Sequence, residues 1–381
     1  MKKFIECYIP ITTCNFKCHY CYIGQMENFK NQPPQFKYDN EYIAKAFSKK
    51  RLGGECLVNL CAGGETLLVP RMVELTKLLL EEGHYVSIVT NGTISARFDE
   101  IIKFPERLLE KLFFKFSFHY LELKRLNKME TFFSNIKKIK DAGCSFTLEL
   151  TPNDEFIPYI EDIIKLSQKY VGAKCQVTIA RKDFDPEINI LTKYNKDEYK
   201  KIWSIFDSEL FKFKLPLYNE KRNEFCYAGD WSIVLNLGTG EYKQCYAQSR
   251  LGNFYEDIDK PLNLLSVGHN CKLPHCFNAH SFLALGAIPD ILEKETYALL
   301  RNRVCIDGSE WLTPKYKEFF NRKLKDYNKI YNEKEQKIID RKNKYLFLKD
   351  KMYKISWNKI YNHFRRKKIS NLKYKMDKKE N

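Results

Sequence analysis

The sequence predicts an α/β protein whose first part is an open barrel of β–α repeats. Six apolar, strand-like runs alternate with helix-period stretches, and they cover residues 4–11, 56–61, 85–90, 113–118, 145–151 and 175–180. Apolar strands that alternate with helices form a parallel sheet covered by helices. Six strands are too few to close an eight-stranded barrel, so we expect a (β/α)6 partial TIM barrel over residues 1–215.

The helices between these strands have start and stop signals in the sequence. Asp39 and Asn40 are suited to cap the first helix, and Gly83 and Gly143 follow the ends of two others. The predicted helices cover residues 40–50, 71–82, 100–111, 131–142, 157–170 and 196–211. Ligands of such folds collect at the C-terminal ends of the strands, so we expect the site there.

Composition limits the cellular context and the metal chemistry. The hydrophobic fraction of 44% suffices for a large core. The length of 381 residues favours more than one domain. The sequence contains no run of about 18 apolar residues, so we expect no membrane-spanning helix. Glu6 interrupts the apolar stretch near the N-terminus that a signal peptide would need. Thirteen cysteines without a secretion signal predict thiolate ligands rather than disulfides, in a cytoplasmic protein.

Positive charge is concentrated at the C-terminus. Residues 311–381 hold 23 basic and 8 acidic side chains, so their net charge of 23 − 8 = +15 accounts for most of the chain's +17. We therefore predict a basic helical tail at 311–381 and do not expect a nucleic-acid-binding body. An apolar stripe in this tail is compatible with contact with an anionic membrane surface, and a helix packed on the barrel or a solvated tail is the simpler alternative. The members of the stripe are Tyr353, Trp357, Ile360, Tyr361 and Phe364.

Three cysteines follow the first strand at the spacing C-x3-C-x2-C. A loop with Cys14, Cys18 and Cys21 can wrap three thiolates around one iron–sulfur cube. A [4Fe–4S] cube held by three ligands keeps one iron open, as catalytic metal sites generally do. A structural zinc site or buried free thiols are the alternatives, but zinc sites mostly use paired C-x2-C units.

These residues, with Tyr20 before the last cysteine, resemble the radical S-adenosylmethionine (SAM) enzymes. The resemblance implies that the open iron is chelated by the amino and carboxylate groups of SAM. It further implies that an electron from the cluster cleaves SAM to a 5′-deoxyadenosyl radical, which abstracts a hydrogen atom from the substrate. Known members have (β/α)6 partial barrels.

Further residues at strand ends match the SAM-binding positions of that family. Gly63-Gly64-Glu65 resembles the family's G-G-E element, which holds the SAM amino group. An ordinary turn is the alternative there and at Thr90-Asn91-Gly92. Four further positions near the ends of later strands are assigned to SAM binding by the same resemblance or by their location: Asn91, Ser117, Glu149 and Arg181. For the two charged residues, Glu149 and Arg181, a salt bridge is the alternative role.

A second cysteine group follows the barrel, in residues 216–310. Residues 231–237 and 241–244 read as a hairpin that brings Cys226 near Cys245, and Cys271 and Cys276 form a close pair. Four thiolates can fully ligate one [4Fe–4S] cube, with a zinc ribbon as the alternative. The segment resembles SPASM and twitch extensions of radical SAM enzymes, and its few cysteines imply a twitch-type domain with one auxiliary cluster.

The remaining cysteines and two histidines have simpler explanations. We expect Cys305 to be a spare ligand or a buried thiol and the other cysteines to pack in the core: Cys7, Cys56, Cys61, Cys144 and Cys175. For His119, His275 and His280, core or surface roles compete with a place along a substrate passage.

The predicted activity is therefore that of a radical SAM enzyme with one auxiliary cluster. A fully ligated auxiliary cube suits electron transfer, which implies an oxidation such as dehydrogenation, with epimerisation also compatible. We expect a sugar or other polyol substrate and a reductase such as flavodoxin or ferredoxin. A peptide or protein maturase is the second interpretation, and a zinc- or cluster-binding scaffold that holds RNA is the third.

Overall fold

The computed structural model describes residues 1–246, 248–289, 291 and 294–348. The chain divides into two units, Met1–Ile330 and Tyr331–Asn381. Within the second unit residues 333–348 are helical. The predicted apolar stripe of the tail lies outside the described residues.

A nine-stranded sheet organises the first unit. Its strands are β1 (Phe4–Ile9), β2 (Leu57–Ala62), β3 (Tyr85–Thr90), β4 (Leu112–Ser117), β5 (Ser145–Leu150), β6 (Gln176–Val177), β7 (Ser232–Asn236), β8 (Glu241–Lys243) and β9 (Arg250–Asn253). They are ordered β6-β5-β4-β3-β2-β1-β7-β8-β9. Strands β1 to β7 are parallel and β8 and β9 are antiparallel, so the predicted α/β class with a mostly parallel sheet is confirmed.

Helices connect the parallel strands as the sequence periodicity predicts. The α-helices of the first unit are α1 (Tyr22–Gln25), α2 (Asn40–Ala46), α3 (Lys49–Leu52), α4 (Arg71–Glu81), α5 (Ser95–Ile101), α6 (Glu106–Leu109), α7 (Tyr120–Arg125), α8 (Met129–Asp141), α9 (Ile160–Val171), α10 (Lys196–Trp203), α11 (Glu209–Lys214), α12 (Ala279–Phe282), α13 (Tyr297–Arg301) and α14 (Pro314–Asn321). Short 3₁₀ turns cover Thr66–Leu68, Asp154–Tyr159, Ser204–Phe206, Leu215–Leu217 and Leu324–Tyr327. No described helix is long and apolar enough to span a bilayer.

Three of the predicted helices are each divided in two. Ser48 caps α3 after the end of α2, because its hydroxyl accepts a hydrogen bond from Arg51 N at 3.4 Å. Pro105 lies between α5 and α6, where its missing N–H ends the first helix. Asp207 adopts a left-handed conformation between α10 and α11, with φ of 48°. These local breaks leave the order of elements unchanged.

The sixth predicted strand is much shorter than the periodicity indicates. Only Gln176 and Val177 pair with β5, although the apolar run covers residues 175–180. The hydroxyl of Ser208 accepts a hydrogen bond from Val177 N at 2.9 Å. A side chain from the start of α11 therefore takes the backbone donor that a further strand would use.

The predicted hairpin extends the same sheet. Strand β7 pairs with β1, with Phe4 opposite Ser232 and Tyr8 opposite Asn236. The predicted boundary between residues 215 and 216 therefore falls within one compact unit, and the predicted second domain shares its sheet with the first.

Residues after the hairpin close the N-terminal edge of the sheet. Tyr316 on α14 is buried and donates a hydrogen bond to Val86 O at 3.0 Å, and Phe319 stacks on Tyr85 with ring centroids 3.6 Å apart. Trp311 is also buried and packs against Phe146. Residues at the start of the predicted tail thus contribute to the core, and the opposite edge of the sheet is left for the site.

Candidate functional site

The cysteine loop connects β1 to α1 at the C-terminal edge of the sheet. Cys14, Cys18 and Cys21 line a small cavity of about 80 Å³, which we call the loop cavity. Phe16 N lies 3.4 Å from Cys14 Sγ, and Lys17 N donates to Glu122 Oε2 at 2.7 Å. The structure thus brings the three predicted ligands together and holds their loop with backbone hydrogen bonds.

The two glycines after β2 allow this loop to pack closely against the sheet. Gly63 N and Glu65 N donate to Ile9 O and Thr13 O, at 3.2 and 3.1 Å. A Cβ on Gly64 would lie 1.9 Å from Thr13 O, which is a severe clash. The glycines are therefore required by contact with the chain itself, in addition to any contact with a ligand.

Glu65 joins the ends of β2 and β3 beneath the loop. Its buried carboxylate accepts hydrogen bonds from Thr90 Oγ1 at 2.6 Å, Asn91 N at 2.7 Å and Leu67 N at 2.9 Å. Burial raises its pKa, and these three donors oppose that shift. Asn91 in turn donates to Asn15 Oδ1 at 2.7 Å, so the Glu65 network extends into the cysteine loop.

Ser117 and His119 complete the loop cavity from the end of β4. Both residues line it, together with Gly63, Gly64, Glu65 and Asn91. The hydroxyl of Tyr20 and Nδ1 of His119 are 2.7 Å apart. Burial lowers the pKa of His119 to about 4, so its ring is neutral at neutral pH. A neutral imidazole here orients Tyr20 by a hydrogen bond.

A larger cavity of about 480 Å³ adjoins the loop cavity, and we call it the central cavity. The two cavities share Cys21, Cys61 and His119 among their lining residues. Cys61 was expected to pack in the core, but it is only half-buried and lines both spaces. Alternation along β2 turns this side chain away from the packed face.

Three of the predicted SAM-binding residues, Tyr20, Glu149 and Arg181, line the central cavity and are absent from the lining of the loop cavity. Glu149 forms an ion pair with Lys115 at 2.9 Å and a second with Arg301. Burial raises the pKa of Glu149, but the two cations outweigh burial and hold that pKa at about 2. Arg181 pairs with Asp183 at 3.0 Å and lies over the ring of Phe277. Glu149 and Arg181 thus both form the salt bridges that were the alternative to SAM binding.

The second cysteine group is also gathered in one place. The backbones of Cys226 and Gly268 form an isolated bridge, and Cys245 follows β8. Burial raises the pKa of Cys245, and the thiols that add to the shift are those of Cys276, Cys226 and Cys271. Burial likewise raises the pKa of Cys226 to about 12. Four thiols that influence one another electrostatically form a compact donor set.

Both thiol groups have the donor chemistry that iron–sulfur cubes require. Within the described part of the chain, no three His, Cys, Asp or Glu side chains are grouped around a position for a single ion. A cube spreads its thiolates over different irons, so its ligands need not converge on one point. Thiolates also select zinc, so the ligand type of the four-cysteine group suits zinc as well, although its thiols do not converge on one position. Binding either metal must displace the thiol protons.

The remaining predicted residues mostly have structural roles. Cys305 is buried beside Gly172, where its thiol donates to Val171 O at 3.3 Å, so it is a buried thiol. His275 packs against Tyr218 with ring centroids 4.3 Å apart, whereas His280 lines the central cavity. Four cysteines are buried as expected: Cys7, Cys56, Cys144 and Cys175.

Three basic residues of the central cavity were missed by the sequence analysis. Lys115 lies within the apolar run Leu-Phe-Phe-Lys-Phe-Ser of β4, and a lysine in a buried strand was the available signal. Lys214 and Arg301 come from α11 and α13, outside the barrel strands, where no local pattern distinguishes them. Tertiary packing alone brings them to the cavity.

Comparison with known proteins finds a family model that matches part of the chain. Residues 8–167 match the model of the Radical SAM superfamily. A protein of Methanocaldococcus jannaschii, named as a proposed glycyl-radical enzyme activating enzyme, is 33% identical over 79 residues; these are 21% of this chain and 28% of that protein. The chain therefore aligns with little more than a quarter of this curated relative.

Two solved structures align over larger parts of the chain. SuiB of Streptococcus suis bound to S-adenosylmethionine gives a TM-score of 0.48 at 13% identity, over 68% of this chain and 65% of that chain. Native anSMEcpe with bound AdoMet gives 0.45 at 18% identity, over 66% and 78%. The chain spans just under two thirds of SuiB.

Proposed function

Because residues 8–167 match the model of the Radical SAM superfamily, we propose that this chain is a member of it and an enzyme that reductively cleaves S-adenosylmethionine. Cys14, Cys18 and Cys21 hold the [4Fe–4S] cube. The observation that carries the proposal is that these three thiols line one cavity together with the Gly63–Glu65 turn. When bound, the cube supplies the electron that converts SAM into a 5′-deoxyadenosyl radical.

In this proposal the residues of the loop cavity bind and orient SAM. The carbonyls and carboxylate of the Gly63–Glu65 turn face the α-amino group, and Asn91 and Ser117 are placed for its other polar groups. Tyr20, oriented by its hydrogen bond with His119, lines the adjoining central cavity. For Glu149 and Arg181 the earlier assignment to SAM stays a prediction, because both lie in the adjoining cavity and already have charged partners.

The central cavity is the proposed substrate site. Its volume of about 480 Å³ is in the range of small-molecule sites, and it adjoins the loop cavity at Cys21 and Cys61. A molecule in the central cavity would therefore lie next to SAM bound in the loop cavity. The many hydroxyl and amide groups of the lining, such as Tyr8, Asn59 and Thr178, suit a polyol or sugar.

Cys226, Cys245, Cys271 and Cys276 are the proposed ligands of an auxiliary [4Fe–4S] cube in a twitch-type extension of a partial TIM barrel. Four thiols leave no open iron, so this cube serves as an electron acceptor rather than as a second site of chemistry. Loss of a hydrogen atom, an electron and a proton from the substrate would make the net reaction an oxidation, such as dehydrogenation of an alcohol to a carbonyl. Epimerisation is the variant that needs no net electron acceptor.

A peptide or protein substrate is the second candidate. It is supported by the 79-residue similarity to a protein named as an activating enzyme, which acts on another protein. It would place a segment of the partner in the central cavity. An assay distinguishes the two candidates, because a small polyol would be converted when no other macromolecule is present, whereas a peptide or protein substrate must be added.

The test begins with protein purified and reconstituted without oxygen. We expect about eight irons with matching sulfide per chain, as two cubes require. We also expect 5′-deoxyadenosine when SAM and dithionite, flavodoxin or ferredoxin are added. Zinc as the sole metal, or absence of SAM binding, would refute the proposal and favour the scaffold interpretation.

Contact of the basic tail with an anionic membrane is proposed separately, together with a cytoplasmic location at the inner membrane face. It is supported by the charge of residues 311–381 alone. Flotation with anionic liposomes tests it. Equal recovery of the full chain and of a chain truncated after residue 344 would exclude the contact.

A further inference from the structure

The central cavity holds more basic than acidic side chains. Its charged lining residues are the basic Lys115, Arg181, Lys214 and Arg301 and the acidic Glu6, Glu149 and Asp183. Glu149 is shared by Lys115 and Arg301, and Asp183 pairs with Arg181. The fourth cation is therefore left without a carboxylate of its own.

That cation is Lys214, the last residue of α11. Its residue exposure is only 3%. Its ammonium donates a hydrogen bond to Thr178 Oγ1 at 2.8 Å, and among the described residues no carboxylate lies within 4.0 Å of it. A buried charge without a counterion is costly unless another group supplies the missing interaction. Burial and the neighbouring cations accordingly lower the pKa of Lys214 well below its usual value.

Glu6 does not supply the missing charge. Its carboxyl is buried and accepts a hydrogen bond from Asn59 Nδ2 at 2.8 Å. Burial raises the pKa of Glu6 to about 7, so the group is substantially protonated at neutral pH. Because the carboxylates of Glu149 and Asp183 pair with other cations and Glu6 is partly neutral, the lining offers Lys214 no carboxylate of its own.

A second group in the same lining also lacks a partner. His280 is 9% exposed, and its Nδ1 has no hydrogen-bond partner among the described residues. His280 and Lys214 are close enough to influence each other electrostatically. An unpartnered imidazole nitrogen and an unpaired ammonium on one wall make a site that a ligand oxygen with negative charge would satisfy.

We propose that the substrate of this chain is a small molecule with an anionic group, a carboxylate or a phosphate, that binds against Lys214 and His280. This inference rests on the proposed function, since it assigns the central cavity to the substrate. The anion fixes one end of the molecule, and the rest of the 480 Å³ cavity holds the part that reacts near Cys21. Among sugars and polyols, those that carry a carboxylate or a phosphate are then the substrates, and neutral ones are poor substrates.

The test compares simple probes on the reconstituted full-length holoenzyme. Thermal unfolding midpoints are measured without oxygen, at constant ionic strength set with chloride, in acetate, acetamide and inorganic phosphate. The variants are Lys214→Met and, as matched control, Lys212→Met, which removes an exposed lysine two residues away that pairs with Asp207 and Glu209. Lys214→Gln is the second variant, in case Lys214→Met does not fold.

We expect acetate or phosphate at about ten times its dissociation constant to raise the midpoint of the wild type and of Lys212→Met by roughly 2 °C or more. Acetamide should not, and the Lys214 variants should lose the shift. A response to acetate alone identifies a carboxylate, and a response to phosphate alone identifies a phosphate. Equal shifts in all variants, or no shift with any anion, would overturn the inference.

A 5′-deoxyadenosine assay on the same preparations separates this inference from the proposed function. If SAM is cleaved but the anion response does not depend on Lys214, only the anionic-substrate inference fails. If the anion response depends on Lys214 but SAM is neither bound nor cleaved, the proposed function fails and the substrate role fails with it.

Discussion

The two cysteine groups differ in how the chain brings their thiols together. Cys14, Cys18 and Cys21 lie within eight residues of one loop, and their cavity also contains a carboxylate, an amide and a hydroxyl. The second group is drawn from positions 226 to 276 and depends on the hairpin of β7 and β8. The first group has three thiols beside polar groups that can bind a further ligand, and the second has four thiols.

If both groups hold the proposed cubes, this difference predicts a division of labour between them. Three thiols beside polar residues suit a cube that exchanges a ligand, whereas four thiols suit a cube that only passes electrons. The contrast is testable, because variants of each group should have separate effects on SAM cleavage and on substrate turnover.

Removing one ligand from each group should give the largest effects. Cys18→Ala is expected to lower SAM cleavage by more than about 100-fold, since even the outer partners of metal ligands are worth 10- to 100-fold. Cys245→Ala should keep SAM cleavage and lose substrate oxidation. Iron analysis and 5′-deoxyadenosine yield measure this; equal loss of SAM cleavage in both variants would contradict the division.

Glu149→Gln should strongly destabilise the barrel between the two sites. The change leaves Lys115 and Arg301 buried without their shared carboxylate, which costs about 3–5 kcal/mol in the free energy of unfolding. Urea unfolding measures it. Glu100→Gln, which affects only a more exposed pair with Arg97, is the control and should change stability by less than about 1 kcal/mol.

The same variant should change the acid sensitivity of the fold. The pKa of Glu149 falls from 4.5 to about 2 on folding, so its contribution is fully present above pH 4.5 and is lost as the pH falls to about 2. The wild type should therefore lose more stability than Glu149→Gln across this range. Equal losses of stability in the wild type and in Glu149→Gln between pH 4.5 and 2 would show that ionised Glu149 does not stabilise the fold.

Gly64→Ala should disturb the first site and spare the second. Its Cβ would lie 1.9 Å from Thr13 O, so the cysteine loop must move, at a cost of about 1–3 kcal/mol. We expect loss of iron from the first group alone, detected as about half the iron content of the wild type after reconstitution. Gly143→Ala is the control, since its Cβ meets no atom within 4 Å, although its positive φ still carries some strain.

Cys61→Ser should have the smallest effect on cluster content. Cys61 lines both cavities, so it is the candidate for a fourth ligand of the first cube. If the three-thiol assignment holds, Cys61→Ser keeps the full iron content and SAM binding, with Cys18→Ala as the contrast. Loss of half the iron would mean that Cys61 is a ligand and that the first cube has no open iron.

The sequence by itself determined the repeating architecture and the local motifs. The mostly parallel α/β sheet followed from apolar runs and helix periods, since burial on both faces leaves a pattern in each strand. The three-cysteine loop was recognisable because its ligands are close in the chain. The second cysteine group was inferred from a hairpin whose strands the structure contains.

Only the tertiary structure decided which side chains line the same cavity. It joined β7 to β1, placed α14 under the sheet, and turned Glu149 and Arg181 toward the central cavity, where they meet charged partners. It also brought Lys214 and Arg301 there from helices whose sequences carry no special signal. Periodicity reports whether a residue is buried, whereas the identity of its neighbours depends on distant segments of the chain that no local pattern encodes.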